Sequence, residues 1–447
     1  MKKLGLLFVL VLMMGMMLGT SVTAQDDPIE ITFAHIFDDD RQLVIQQIAD
    51  AFMAENPGVV VTPIALSPVY DELFNQALLA ADQGTAYSIV QVVEAFTQQA
   101  IDSGYFVPVS EVASEEQLAT LDDVIPTIVN YYSLDDDIWS LPWNSSTPLL
   151  YYNKDIFTAA GLDPEAAPST FAEITAACEA IMTMADELEL SGCINWPMES
   201  WFADQWVAMQ NGVLANNENG RDGRATAVTW GESSELLNVM EWWSSLAEAG
   251  YYTYSGTAGD YNGEGLAFLS RQTAITLNST AGLALIQNFA AAQGFELGVA
   301  PLPLPDENAT NGMTVGGASL WLSVDQSDEQ LQAAADFAFF LTNTENDILW
   351  HVSTGYIPNR ISSVEQLEAD GYYEENPNFR IAVDQLANSE ANAATAGAIL
   401  GPGQELGEII VAAFQSVVDG DEDPQAALQA AAELANLALA DYNSFFE

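Results

Sequence analysis

The chain has 447 residues, 49% apolar and 10% aromatic, a globular composition with enough length for two hydrophobic cores. Its 64 acidic residues face only 9 basic ones, for a formal charge of −55. A surface of that sign repels nucleic acid and anionic lipid headgroups and excludes both as partners.

Lys2 and Lys3 precede an almost unbroken apolar run from Leu4 to Met17, and Ser21–Ala24 supplies small residues for cleavage after Ala24. Residues 1–24 therefore read as a secretory signal peptide, because the run is too short to span a bilayer comfortably. No cysteine follows it, so a soluble exported chain, periplasmic or extracellular, is expected rather than a lipoprotein.

Ile29–His35 reads as a strand. Asp38–Asp40 can cap a helix in which Val44, Ile48 and Phe52 recur every four residues until Pro57 stops it. The β-branched run Val59–Ile64 is a second strand, Pro68–Ala81 a helix and Tyr87–Val93 an apolar third strand. This alternation of nearly continuous apolar strands with helices predicts a parallel sheet covered on both faces. Helices are also expected over Ala95–Ser103, Glu115–Leu121, Lys154–Ala160, Ser233–Glu248, Leu331–Leu341 and Glu345–His351, and after Gly403 and Pro424. No low-complexity linker divides the chain, so two lobes must be joined by several crossovers.

In an exported chain the two cysteines, Cys178 and Cys193, predict a structural disulfide tying the helix around Thr170–Leu188 to the strand after Gly192. With His35 and His351 the only histidines, a cysteine/histidine zinc cluster cannot be built, and no metal or other cofactor is expected.

The block Leu141–Phe157 (LPWNSSTPLLYYNKDIF), continued by AGLDP to Pro164, resembles extracellular solute-binding family 1 of sugar importers, and most closely its glycerol-3-phosphate-binding members. Similar stretches recur at Val315–Trp321, His351–Pro358, Asp370–Pro377 and Asp419–Ala431. The resemblance implies the α/β type II periplasmic-binding-protein fold. One lobe would comprise 29–140 plus 313–355 and the other 141–312 plus 356–447, with the ligand in the cleft between them. It also implies a monomer that delivers a carbohydrate or glycerol-derived solute to the paired permease subunits of an ABC transporter.

Glu94 stands where the strand Tyr87–Val93 runs out, the end of an open α/β sheet at which ligands sit, and a carboxylate there can accept two hydroxyls. The resemblance places a ligand-contacting glutamate at the same position. It further implies ligand contacts from Tyr70, from Ser146 in the Asn144–Thr147 patch, and from Ser279. Gly317, whose backbone can approach a ligand closely, and Tyr356 complete the polar set, while Trp201 is the candidate stacking platform.

One departure bears on the ligand. Gly407 stands where the glycerol-3-phosphate binders place an arginine on the phosphate, with Glu405 and Glu408 beside it, and a second family tryptophan is replaced near Met198. A phosphate dianion in a desolvated cleft needs compensating charge. Of the seven basic residues after the signal, Lys154 reads as structural and Arg271 is the one nearest a cleft position. An uncharged sugar or polyol, or a zwitterionic glycerophosphodiester, therefore suits the chain better than glycerol-3-phosphate.

A secreted glycoside hydrolase is the main rival, but it requires two carboxyls flanking one bond, and only Glu94 has a positional argument. A sensory receptor component with the same fold is the other alternative.

Overall fold

The computed structural model describes residues 27–134 and 137–446; the expected signal at 1–24 lies outside them. Two mixed sheets organise the chain. The first runs in the order Val59–Ala65, Ile29–His35, Ile89–Val93, Gly316–Ser323, Phe106–Val107, with Leu141–Ser146 also paired to Gly316–Ser323. Its first three strands are parallel, as the alternating pattern predicts, whereas Gly316–Ser323 is antiparallel to Ile89–Val93. The parallel expectation is thus correct for the N-terminal segment, and the antiparallel strand arrives from far along the sequence. Pro63 is tolerated because Val59–Ala65 is the edge strand, where a missing N–H costs no ladder bond.

The second sheet runs Tyr252–Thr253, Ile194–Asn195, Ile275–Ser279, Pro148–Asn153, Leu297–Pro301. The chain therefore passes between sheets at Thr147, returns between Pro301 and Gly316, and goes back before the helix Pro377–Ala387, which packs on Leu297–Pro301. The first passage follows Ser146, six residues beyond the division at 140/141 that the family blocks suggest, because Leu141–Ser146 is hydrogen-bonded into the first sheet.

A tryptophan-rich core fills the second lobe: Phe171 stacks on Trp242 at 3.6 Å, with Trp196, Trp206 and Trp243 around them. The first sheet packs Phe33, Phe37, Trp143 and Trp350 on one face, and Phe74, Val90, Val92 and Trp321 on the other. Cys178, on the helix Phe171–Met182, is disulfide-bonded to Cys193, just before Ile194–Asn195, and both are fully buried. Among the described residues no helix is long and apolar enough to cross a membrane.

Candidate ligand site

The first strand ends in a short loop, Ile36–Asp40, and the helix Arg41–Glu55 follows. The expected aspartate cap forms one residue earlier than the helix boundary suggests. Asp40 makes no side-chain cap bond, and Asp39 instead accepts from the Arg41 N–H at 2.9 Å and from its guanidinium at 2.6–2.9 Å. The Arg41 guanidinium lies 4.5 Å over the Phe37 ring, whose edge meets Tyr356 at 6.1 Å.

Between the sheets lies a cavity of about 430 Å³. Its wall is built from the carboxyl end of Ile89–Val93, which delivers Glu94, and from the N-terminal turn of the helix Tyr70–Asp82. The start of the helix Ser200–Met209 and the helix Gly403–Val418 close it from the other lobe. Tyr70, Glu94 and Trp201 of the sequence-derived set line this cavity. Gly317 lies opposite Glu94 through the register Ala318–Val93, and hydrogen bonding from its backbone acts on the Glu94 carboxylate. Its φ of +105° and a Cβ position only 2.0 Å from the Asn144 carbonyl oxygen leave room for glycine alone. A Cβ on Gly316 would likewise strike the Trp201 ring at 2.6 Å, so the two glycines let the strand lie against the cavity wall.

Ser146, Ser279 and Tyr356 do not line the cavity but gather beside it, at the passage between sheets. Ser146 pairs in register with Gly316, Ser279 with Pro148, and Gly355 abuts the Thr280 carbonyl. Tyr356 stacks on Trp350 at 5.7 Å; burial raises its hydroxyl, against the lowering influence of the Arg41 charge and of the neighbouring Asn144 and Tyr70 side chains. Asn144, which the sequence reading left only as part of a polar patch, joins the two groups. It donates to Tyr70 Oη at 3.0 Å and accepts from Gln91 Nε2 at 2.9 Å, so one hydrogen-bonded chain runs from the sheet to the cavity edge. Ser279 Oγ is engaged locally, accepting from the Ala281 N–H at 3.2 Å.

The cavity's electrostatics come from residues that sequence reasoning missed. Glu199, the cap residue of Ser200–Met209, and Asp204, one turn in, join Glu94, Asp71 and Glu408 on the wall. Burial raises Glu94 to about 8, and the neighbouring Glu199 and Asp204 push the same way. Asp204 is raised to about 7 by burial and by Glu199. Glu199 is raised by burial, against a hydrogen bond from Tyr261 that favours its ionised form. One oxygen of Glu94, one of Glu199 and the Trp201 indole N–H are buried without a partner. The signal for these acids was faint: Glu199 flanks Trp201, but 64 acids in one chain hide two that matter.

Among the described residues no lysine or arginine lines this cavity. Arg271 is held on the outside, over Phe295 and donating to the Gln293 carbonyl at 3.3 Å. Lys154 bridges Glu165 and Glu296 at the protein surface. Arg221 is spent on the carbonyls of Asn130, Tyr131, Ala396 and Gly397. Gly407 does line the cavity, with open space where a side chain would project. Met198 lines it as well.

Residues 47–381 match the family model described as bacterial extracellular solute-binding protein. The chain belongs to this family. The solute-binding protein is 29% identical to the sn-glycerol-3-phosphate-binding periplasmic protein UgpB of Yersinia pseudotuberculosis over 403 residues, 89% of this chain and 90% of that one. UgpB of an Escherichia coli O6 strain is 29% identical over 413 residues, 92% of each chain. Among solved structures, UgpB of Mycobacterium tuberculosis in complex with glycerophosphocholine superposes with a TM-score of 0.76 at 21% identity, covering 93% of this chain and 98% of that one. The cyclic alpha-maltosyl-1,6-maltose binding protein of Arthrobacter globiformis gives 0.74 at 20% identity, covering 93% and 100%. Both carry the two-lobed fold found here, the type II periplasmic-binding architecture that the resemblance implies.

Proposed function

We propose that this solute-binding protein captures a carbohydrate or glycerol-derived solute outside the cytoplasm and presents it to the permease subunits of an ABC importer. The observation that carries the reading is the inter-lobe cavity, walled by Tyr70, Glu94 and Trp201 and continued by the hydroxyl-bearing Ser146, Ser279 and Tyr356 with the Gly317 backbone. Carboxylate, hydroxyls and an aromatic platform are the groups that recognise a polyol. The relatives named for glycerol-3-phosphate, the solved neighbour in complex with glycerophosphocholine and the one named for binding cyclic alpha-maltosyl-1,6-maltose agree with that chemistry. The lobes we assign are 29–146 plus 316–355 and 147–315 plus 356–446, which follow sheet membership. The protein acts as an exported monomer and turns nothing over.

Glycerol-3-phosphate itself is disfavoured, because the position that would carry a phosphate-binding cation is Gly407 and the wall is acidic. The test is a thermal-shift and calorimetric panel of glycerol-3-phosphate, glycerophosphocholine, glycerol, maltose and maltotriose, with each ligand recovered and checked by mass spectrometry. The expected result is 1:1 binding of a sugar or a glycerophosphodiester, recovered intact, with glycerol-3-phosphate the weaker ligand. Cleavage of any member, or micromolar binding of glycerol-3-phosphate alone, overturns the reading.

A further inference from the structure

We infer that residues 216–224 form a clasp that ties the second lobe to the first, and that the strength of this tie sets how long the protein holds any solute it captures. The inference rests on the proposed function, because a tie between lobes matters only to a cleft that opens to admit a solute.

The backbone of this segment is held in a shape that few residues adopt. Asn217, Glu218 and Asn219 have φ of 53°, 52° and 62°, and Gly220 follows at 78°. Left-handed residues in a row cost free energy at each non-glycine position, so such a turn persists only where its surroundings dictate it. They do so here. The buried Asn219 side chain accepts from the Leu214 N–H at 2.7 Å and the Ala215 N–H at 3.1 Å, and it donates to the Ala393 carbonyl at 2.9 Å. Asn217 donates to the Arg224 carbonyl at 2.8 Å and closes the segment on itself. A Cβ on Gly220 would stand 2.3 Å from the Ile399 carbonyl oxygen, so the turn is pressed against its own lobe. Just beyond it, the Ala225 carbonyl accepts from Asn443 of the helix Pro424–Asn443 at 2.9 Å.

This anchored turn presents two arginines, and both reach the other lobe. Arg221 donates to the carbonyls of Asn130 and Tyr131 at 3.2 Å, with its guanidinium 5.0 Å over the Tyr131 ring. The Tyr131 hydroxyl donates to the Glu94 carbonyl at 2.7 Å, so this tie ends on the wall of the ligand cavity. Arg224 holds Asp102, on the helix Thr97–Ser103, through two parallel bonds of 2.7 Å. The same carboxylate accepts from Tyr442 of the second lobe at 2.9 Å and from Gln98 of its own helix at 3.0 Å. The Asp102 side chain is only 7% exposed, which shields the forked pair from solvent and salt.

Charge favours the same partners. Arg41 is the one basic residue in 29–146 plus 316–355, so the first lobe is strongly acidic and the second offers it two cations. A separate cavity of about 280 Å³ opens between these groups, lined by Gln98, Asp102, Trp139, Arg221 and Arg224. The lobes therefore meet here through polar ties around a hollow, a contact that can part and re-form as a packed apolar core cannot. A solute held only between joined lobes has an apparent affinity scaled by the joined fraction. The clasp then strengthens the binding of every solute by one common factor, expressed in the rate of release.

The experiment compares the full mature protein with Arg224→Gln, Asp102→Asn and the double variant, using glycerophosphocholine and maltotriose as probes. Calorimetry and stopped-flow mixing give affinity and release rate, small-angle X-ray scattering gives the radius of gyration, and melting curves report the fold. Each single variant should weaken a bound probe by about 10-fold through faster release, by the same factor for both probes where both bind. The double variant should lose no more than either single one, since both remove the same tie. Arg224→Lys, which keeps the charge without the fork, should fall between. Without a probe, the radius of gyration should exceed the wild-type value in every variant. Unchanged affinity, losses that add in the double variant, or a loss confined to one probe overturns the clasp while leaving the solute-binding reading intact. Failure of both probes to bind the wild type counts against that reading instead, and scattering then decides the clasp, which equal radii in all the proteins overturn.

Discussion

At the scale of single residues the ligand is decided by a few charges in a small space. Glu94 was legible from sequence because its place at the end of an apolar strand is a topological fact, and the structure puts it on the cavity wall. Glu199, Asp204 and Arg41 were not, because their importance depends on which side chains from distant segments face one another. Nothing local separates Asp204 from the other acids of a chain with 64, or tells that Arg41 rather than Arg271 approaches the tyrosines. Gly407 is the informative residue in the other direction. It sits within the helix Gly403–Val418 with open space around its Cβ position, so a long side chain fits without displacing anything. Gly407→Arg should stabilise that helix by about 1 kcal/mol, the cost of a helical glycine. It should also strengthen glycerol-3-phosphate binding by about 10- to 100-fold, the worth of one charge-assisted contact. Calorimetry on the variant checks both the direction and the size, and an unchanged glycerol-3-phosphate affinity would show that the missing cation is not what sets the preference.

At the scale of elements, most strands and helices were legible, since periodicity and caps are local. Ile29–His35 is a strand over the expected span, and the helices beginning at Lys154, Gly403 and Pro424 start where their signals lie. What was not legible is pairing. Gly316–Ser323 inserts between Ile89–Val93 and Phe106–Val107, and Leu141–Ser146 joins its far half through a register shift at Ala318/Ser319. Pairing across more than 170 residues leaves no local trace in a single sequence. That same strand carries the constraint on the site. Gly317→Ala forces a Cβ into a left-handed backbone and against the Asn144 carbonyl, so Asn144 and the backbone beside Glu94 must both move. The expected cost is about 1–3 kcal/mol of stability. Ligand affinity should fall further than in Gly316→Ala, whose clash is with the edge of the Trp201 side chain rather than with backbone. Equal effects of the two substitutions, read by melting and by titration, would remove Gly317 from the site.

At the scale of the whole molecule, the α/β class was legible in the alternating elements and the two-lobed fold in the family resemblance, while sheet membership puts the strand Leu141–Ser146 with the first sheet. The chain passes between the sheets at Thr147, after Pro301 and again before Pro377, and the cavity lies between them; the tryptophan-rich cluster belongs to the second lobe, while the cluster around Phe33 and Trp143 continues into it through Leu149, Tyr151 and Leu283. Such an arrangement concentrates binding energy in one place per chain, with the remaining acidic surface serving hydration. The central claim is that this place is the cavity at Glu94. It is tested most directly by titrating the tightest-binding member of the ligand panel into the wild-type protein and into Glu94→Gln. One molecule should bind per chain, and above about pH 8, where the Glu94 carboxyl is ionised, the substitution should weaken it by about 2 kcal/mol, or about 30-fold, the scale of a hydrogen bond to a charged group. Affinity unchanged in Glu94→Gln would place the ligand elsewhere and contradict the account.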